Sequence, residues 1–520
     1  MQKRGKTALT LVGFAVMLAA LLALMVSIGA GKDGFDIDEF FTYGLANSYH
    51  QPFLSTQTGS WISGKAFSDY LTAKGHAHEY LNVYENQIAD VHPPLYYLFM
   101  HAVCSAFQNP PFTKWTGIGL NLFFFSLTQF GLLLLSARLL SDGEKLELTP
   151  PALLPGLLYG LSAGAASGVV FIRMYAMMTM WAVWLALALV ELFIHGQTVW
   201  RMRALAAVLI AGFLTQYYFV ILACMLCGVY FFARLARREF ETAGRFALWC
   251  FFALALAVGL FPWCLNHIFG GYRGRGAIES AAGVRLNDMI RWFKILWQTL
   301  DAQQFGGFLL ALVLIGAALA FWPLKKAGQG LKRGAAFSLW ALPACGAYVL
   351  VIAVISPYKV DRYIFCVYPL VTAALFMLFA RGGCRFGSRR GSACLLACAV
   401  LAACGARVNR DQQVHYLYPG DSAYVAACEE NAALPCVLLG TNDMTQNTLE
   451  LAAFERVYML NADDAQGVAP ALEALDEKPD GFILFERYHD EANVETVLRE
   501  TGLESAELLF EHQYHVYWVH

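Results

Sequence analysis

Asp36-Ile37-Asp38-Glu39 sets three carboxylates within four residues, just beyond a long apolar run that ends at Ala30. About fifty residues later comes Asp90-Val91-His92-Pro93-Pro94-Leu95-Tyr96-Tyr97. Three cations stand further on: Arg173 in Arg173-Met174-Tyr175, Lys359, and Arg362 in Asp361-Arg362-Tyr363. A carboxylate can take the proton of a hydroxyl as that hydroxyl attacks carbon. Guanidinium and ammonium groups can hold a phosphate and take up the charge that develops on it. One such acid and one or two such cations suffice for group transfer from a phosphate, because phosphate leaves as a stable anion and needs no general acid. Glycoside hydrolysis generally uses two opposed carboxylates instead. Singly, each residue has an ordinary reading, since an outer Asp is usually solvated and a membrane-edge Arg usually snorkels. Their convergence on one face is what points to chemistry.

That convergence depends on the elements between them. The 520 residues are 58% hydrophobic and 15% charged, too apolar for an ordinary soluble domain. Apolar runs at 8–30, 115–137, 150–171, 174–194, 204–233, 246–266, 305–323, 335–356, 363–380 and 391–406 approach the ~20 residues that cross a bilayer as helix. The first is longer than the ~7–15 apolar residues of a signal-peptide core and is read as a retained helix. Basic loops set the sidedness. Arg201/Arg203, Arg234/Arg237/Arg238/Arg245, Lys325/Lys326/Lys332/Arg333 and Arg381/Arg385/Arg389/Arg390 all fall inside if 93–107 lies on the outer surface and 204–233 crosses twice. A turn near Thr215-Gln216-Tyr217-Tyr218 would break the latter run into halves of about 15 residues, roughly 22 Å each. This gives an all-α polytopic membrane domain of about eleven helices, N-terminus cytoplasmic and C-terminus extracytoplasmic, in the cell membrane. The expected domains are 1–406 and 407–520, with the acids in the first outer loop, 31–114. By parity Asp38, Arg173 and Arg362 share the outer side. A second outer loop, 267–304, carries Arg273, Arg275, Arg285, Arg291 and Lys294, which suit an anionic ligand or lipid headgroups equally. Gly160, Gly164 and Gly168 have the small-residue spacing of packed membrane helices.

Charge separates the tail from the rest. Residues 411–520 hold 4 Lys and Arg against 21 Asp and Glu, net −17, while the remainder holds 33 against 18, net +15. Short apolar runs at 435–440, 456–461 and 481–486 read as strands, with more strand from 506 to the end. Runs 444–454, 467–475 and 491–501 read as helices, predicting a small α/β domain. The 13 cysteines show no metal spacing. Cys428 and Cys436 could pair if the tail lies outside the cytoplasm. His512, His515 and His520 read as surface strand histidines before metal ligands. No nucleic-acid motif is present.

The ordered motifs Asp36–Tyr43, Asp90–Tyr97, Arg173-Met174-Tyr175-Ala176, Gln216-Tyr217-Tyr218 and Asp361-Arg362-Tyr363 with Pro369 resemble the bacterial relatives of dolichyl-phosphate-mannose protein mannosyltransferases. Those relatives, like the aminoarabinose transferases of lipid A, belong to the GT-C superfamily. The resemblance covers roughly 1–380 and not the acidic tail. It implies an inverting hexosyl or pentosyl transferase taking its sugar from a polyprenyl-phosphate donor. The acceptor, a hydroxyl on protein, glycolipid or cell-wall polymer, stays open. The resemblance further implies that Asp38 is the base and that the segment opened by His92 lies at the carrier phosphate. Aminoarabinose transferases have Lys where His92 stands, so phosphate binding would lean on Arg173 and Arg362, with Lys359 beside them. Asp90 would orient or charge His92, and Glu39 would support Asp38 or bind acceptor. Tyr96, Tyr97, Tyr217 and Tyr218 would flank sugar or prenyl chain, or anchor the interface, and Tyr175 and Tyr363 would support the site. The family implies no cofactor and no metal, although Asp36-x-Asp38 also resembles the acidic metal pairs of other glycosyltransferases. A non-catalytic carrier-lipid flippase or transporter is the competing reading. Transporters usually show internal repeats and helices broken near the midplane, and no such pairing is visible.

Overall fold

The computed structural model describes residues 2–54, 57–106, 112–321, 329–383, 413–441, 444–477 and 479–520. The chain is a multi-pass membrane protein: among the described residues seven helices are long and apolar enough to cross a bilayer, or nine if each of two bent pairs is one span. The expected eleven also counted 391–406, which lies outside the described residues together with Lys325, Lys326, Arg385, Arg389 and Arg390. The run at 204–233, expected to cross twice, is two helices, Val199–Thr215 and Tyr218–Ala236, broken at Gln216-Tyr217; of the two, Tyr218–Ala236 is among the helices long and apolar enough to cross, and Val199–Thr215 is not. They are 17 and 19 residues long, longer than the expected halves, because each extends past its apolar run at the basic end. Leu95–Ala106 is a 12-residue helix, about 18 Å and too short to span.

Two compact units follow contact, not chain order: Met1–Ala30, Asp90–Tyr96 and Gly117–His415 form one, and Gly31–Ala89, Tyr97–Thr116 and Tyr416–His520 the other. The sequence boundary near 406 therefore leaves segment 31–114 with the membrane helices, whereas contacts group most of it with the tail.

In the first unit the span at Phe365–Gly382 is 94% buried, which makes it central to the helix packing. The stretch read as one span at 150–171 is bent by 66° between Pro150–Gly160 and Ala163–Val170. Ser162 causes the restart, since its side chain accepts from the Ala165 N–H and caps the second piece. A Cβ on Gly164 would stand 2.2 Å from the Tyr368 ring, so only glycine admits this approach. The second bend, 77°, separates Leu286–Phe305 from Leu309–Ala318. Gly306 and Gly307 turn there at φ 61° and 91°, and the Asp301 carboxylate accepts from the Gly307 and Leu309 N–H groups. Arg275, Arg285, Arg291 and Lys294, from segment 267–304, are exposed.

The second unit holds a six-stranded sheet in the order β1-β3-β2-β4-β6-β5. Its strands are β1 (Trp61–Ile62), β2 (Cys436–Leu439), β3 (Val457–Leu460), β4 (Phe482–Glu486), β5 (Ala506–Glu511) and β6 (His515–Val519). β3, β2 and β4 are parallel, and β1, β6 and β5 join antiparallel. β2 and β4 are buried at every position, which is why they read as continuous apolar runs. Val468 and Leu472 from one helix and Val494 and Val497 from another close the core over Val437, Leu439 and Leu484. The tail is thus the small α/β region expected, with two differences. β1 comes from the segment between the first apolar helix and residue 114, with its Trp61 indole donating to the Ala471 carbonyl at 3.0 Å. The run from 506 folds back as a hairpin. Cys428 and Cys436 are buried free thiols.

Candidate functional site: an acid-bearing helix start and a braced arginine pair

In the second unit the acids open the helix Ile37–Asn47. Asp36 is its N-cap, accepting from the Asp38 N–H at 2.9 Å, and Glu39 reaches back to accept from the Asp36 N–H at 2.8 Å. This reciprocal cap satisfies helix-end donors that would otherwise be orphaned. Tyr418 donates to the second Asp36 oxygen at 3.0 Å. Glu39 is fully buried and accepts from Lys32, also fully buried, at 2.9 Å. The Lys32 ammonium donates in addition to the Tyr416 carbonyl at 2.6 Å. Asp38 is half-buried in the first turn, where the helix N-terminus favours negative charge. Two of the three carboxylates thus hold the helix start in place. Tyr97, in the same unit, is fully buried.

In the first unit the motif residues His92 and Arg173 lie together. His92 Nδ1 is 2.8 Å from Asp90 Oδ2, and Arg173 Nη2 is 3.5 Å from His92 Nε2. The roles that fit both contacts are a donor at Nδ1 and an acceptor at Nε2, so the imidazole links carboxylate to guanidinium. Burial pushes the Asp90 carboxyl up, but the neighbouring His92 and Arg173 outweigh it and hold it below the usual range.

Arg173 sits in the non-helical break between Ala163–Val170 and Tyr175–His195. Asn121 pins that break, its amide donating to the carbonyls of Val169 at 3.0 Å and Phe171 at 2.7 Å. Tyr96 in turn donates to Asn121 Oδ1 at 2.9 Å. Arg362 approaches from the short 3-10 turn Asp361–Tyr363, its guanidinium 5.3 Å from the Phe171 ring centre and 5.6 Å from that of Tyr363. Phe171 stacks on Tyr175 at 5.9 Å, while Tyr175 and Tyr218 meet the Tyr363 ring edge-on at 6.0 and 5.2 Å. Phe171 thus meets the Arg362 guanidinium with its ring and accepts from the Arg173 N–H at 2.8 Å with its carbonyl. Tyr217 is turned to His267, 3.0 Å from its Nδ1. The Lys359 ammonium lies 4.4 Å from the Trp292 ring centre and donates to the Ser356 carbonyl; burial lowers its pKa.

Behind Arg362 is a network the sequence did not reveal. Asp361 is buried and accepts from Gln303 at 2.8 Å, with His415 Nδ1 2.7 Å away and the Arg362 N–H at 2.8 Å. Tyr368 donates to Gln303 at 2.8 Å. The bond to Asp361 raises the pKa of His415 against the opposing effect of burial. Gln303 and His415 carry no local sequence signal, since their partners are distant in the chain. Asn121 does carry one, as an amide inside an otherwise apolar helix. Lys32 resembles any lysine that follows a span. Among the described residues no group of three or more His, Cys, Asp or Glu is placed to hold a metal ion.

No protein-family model matches the chain, and no curated protein matches it. Solved structures do. ArnT from Cupriavidus metallidurans, bound to undecaprenyl phosphate, aligns over 98% of this chain and 97% of its own with 10% identity and a TM-score of 0.54. The apo oligosaccharyltransferase of Archaeoglobus fulgidus aligns over 93% of this chain and 68% of its own, with 11% identity and a TM-score of 0.48. The likeness to ArnT shows the fold that the two proteins share.

Proposed function

We propose that this chain is an inverting membrane glycosyltransferase that takes a sugar from a polyprenyl-phosphate donor and gives it to a hydroxyl acceptor. The observation that carries the proposal is two braced arginines, Arg173 tied through His92 to Asp90 and Arg362 packed on Phe171 and anchored beside Asp361. Two guanidiniums on braced backbone suit a phosphate that gains charge as the glycosidic C–O bond breaks. That a protein of the same fold is bound to undecaprenyl phosphate supports this carrier class. In the proposed step the acceptor oxygen bonds to the anomeric carbon from the side opposite the phosphate. The electron pair of the broken bond leaves on the phosphate oxygen, and the acceptor proton passes to Asp38. Glu39 and Asp36 hold the helix that presents Asp38, and His92 positions Arg173 without supplying a fixed charge. Lys359, beside Trp292 and donating to the Ser356 carbonyl, keeps further N–H donors for the phosphate.

The test is release of radiolabelled polyprenyl phosphate from a panel of polyprenyl-phosphate hexoses and pentoses, using the full chain in nanodiscs supplied with membrane extract as acceptor. Asp38→Asn should lower turnover by about 10²–10⁴-fold while leaving binding of polyprenyl phosphate intact. Unchanged turnover would remove Asp38 as the base. Carrier movement across the bilayer with no transfer from any donor would favour a flippase.

A further inference from the structure

The sheet of the second unit contains a crevice that the transfer chemistry does not use. The parallel strands β3, β2 and β4 end side by side at Asn461, Gly440 and Arg487. The chain leaving β2 runs to β3 on one side. The chain leaving β4 runs to the opposite side, toward β5 and β6. Open α/β sheets bind ligands where connections diverge in this way, outside the carboxyl ends of the strands. A pocket of about 360 Å³ lies there, lined by Thr441, Asn461, Asp463, Arg487 and Tyr488 with the Gly440 backbone. That volume falls in the range of small-ligand sites, roughly 300–1,000 Å³.

The crevice is built, not incidental. Gly440 has φ +113°, and a Cβ on it would stand 2.6 Å from the Arg487 Cβ, so glycine is what lets Arg487 lie against the end of β2. Tyr514 donates to the Gly440 carbonyl at 2.6 Å, and its ring centre is 5.7 Å from the Arg487 guanidinium; that of Tyr488 is 5.9 Å away. The neighbouring carboxylate, Glu486, is fully buried and fixes the loop. It accepts from the Tyr488 and Asp490 N–H groups at 3.1 and 2.9 Å and from Asn493 at 3.0 Å. Arg487 is thus a guanidinium held between rings at the mouth of a polar pocket.

Residues 411–520 hold only 4 basic side chains against 21 acidic ones, and Arg487 is one of the four. In such a field a bare anion is repelled at long range, so an anionic ligand must gain further short-range contacts. The amide of Asn461, the carboxylate of Asp463 and the hydroxyl of Thr441 are groups that bond sugar hydroxyls, and the exposed Tyr488 ring offers a flat apolar face. We infer that this crevice binds an anionic saccharide, with Arg487 taking its carboxylate or phosphate and Asn461, Asp463 and Thr441 taking its hydroxyls. The inference stands apart from the glycosyl-transfer reading and survives if that fails.

Titration of the full chain in nanodiscs with glucuronic acid, glucose 6-phosphate, glucose and inorganic phosphate, followed by saturation-transfer NMR against empty nanodiscs, tests it. At least one of the two anionic sugars should bind about tenfold or more tightly than glucose and inorganic phosphate, and the tighter identifies the charged group recognised. Arg487→Gln should lose about tenfold of that affinity. Tyr488→Ala, at an exposed position that does not support the core, should lose several-fold and keeps the test valid if the first variant does not fold. Absence of binding by both anionic sugars would overturn the inference. So would inorganic phosphate binding as well as glucose 6-phosphate, or unchanged affinity in every folded variant.

Discussion

The acids and the arginines are positioned by opposite means. Asp36, Asp38 and Glu39 occupy one turn of helix, and the cap that arranges Asp36 and Glu39 closes over four consecutive residues. Arg173 and Arg362 lie in breaks between helices, and each is braced by residues far away in sequence: His92, Asp90 and Asn121 for one, Phe171 and the Asp361 network for the other. A group that must deliver chemistry from a helix start can be specified by its neighbours. A cation set in a break between helices lacks the helical ladder there, and tertiary contacts must supply the order that the ladder would have given.

The sharpest test of this contrast is Glu39→Ala. It leaves Lys32 buried beside a lost counter-charge and should destabilise the protein by about 3–5 kcal/mol, read as a fall in the thermal midpoint in detergent. If stability is unchanged and transfer alone is lost, Glu39 binds acceptor and the acid cluster is less local than its cap suggests. Next in size, Arg173→Ala should weaken binding of polyprenyl phosphate by about ten- to hundredfold, the loss of a charge-assisted contact. His92→Ala should produce a smaller loss in the same binding assay, since the histidine acts through Arg173. Asp36→Ala should cost about 1 kcal/mol in the same melts, and Asp36→Ser, which keeps a capping oxygen, should recover most of it. Failure of serine to recover stability, together with sensitivity to a chelator, would make Asp36 a metal ligand and not a cap.

The smallest expected effect is a pH dependence. His415 has its pKa raised in the folded state by Asp361. Its contribution is therefore complete below the ordinary histidine value of about 6.5 and is lost as pH rises through the raised one. The difference in thermal midpoint between the native chain and His415→Gln should be largest at acid pH and shrink toward alkaline pH. A difference that grows with pH would reverse the assignment.

Much of the membrane unit was legible because its signals are local. Apolar length marked the spans, and the basic ends around Arg203 and Arg234 forced a break that falls at Gln216-Tyr217. The same holds for the strands of the tail, whose full burial shows as unbroken apolar runs. By contrast β1 is a two-residue strand with no periodicity to find, and it exists because β3 offers it an edge. The bend at Ser162 was equally hidden, since composition does not separate a straight apolar span from two capped pieces.

By itself, then, the sequence determined the membrane class, the acidic α/β tail, and which acids and cations are candidates, because composition, periodicity and capping act within a few residues. Tertiary structure alone decided that Glu39 belongs to Lys32, that Asn121 pins the strap bearing Arg173, and that Gln303 and His415 stand behind Arg362. Buried polar groups must find partners, and which partner is at hand depends on how distant segments pack.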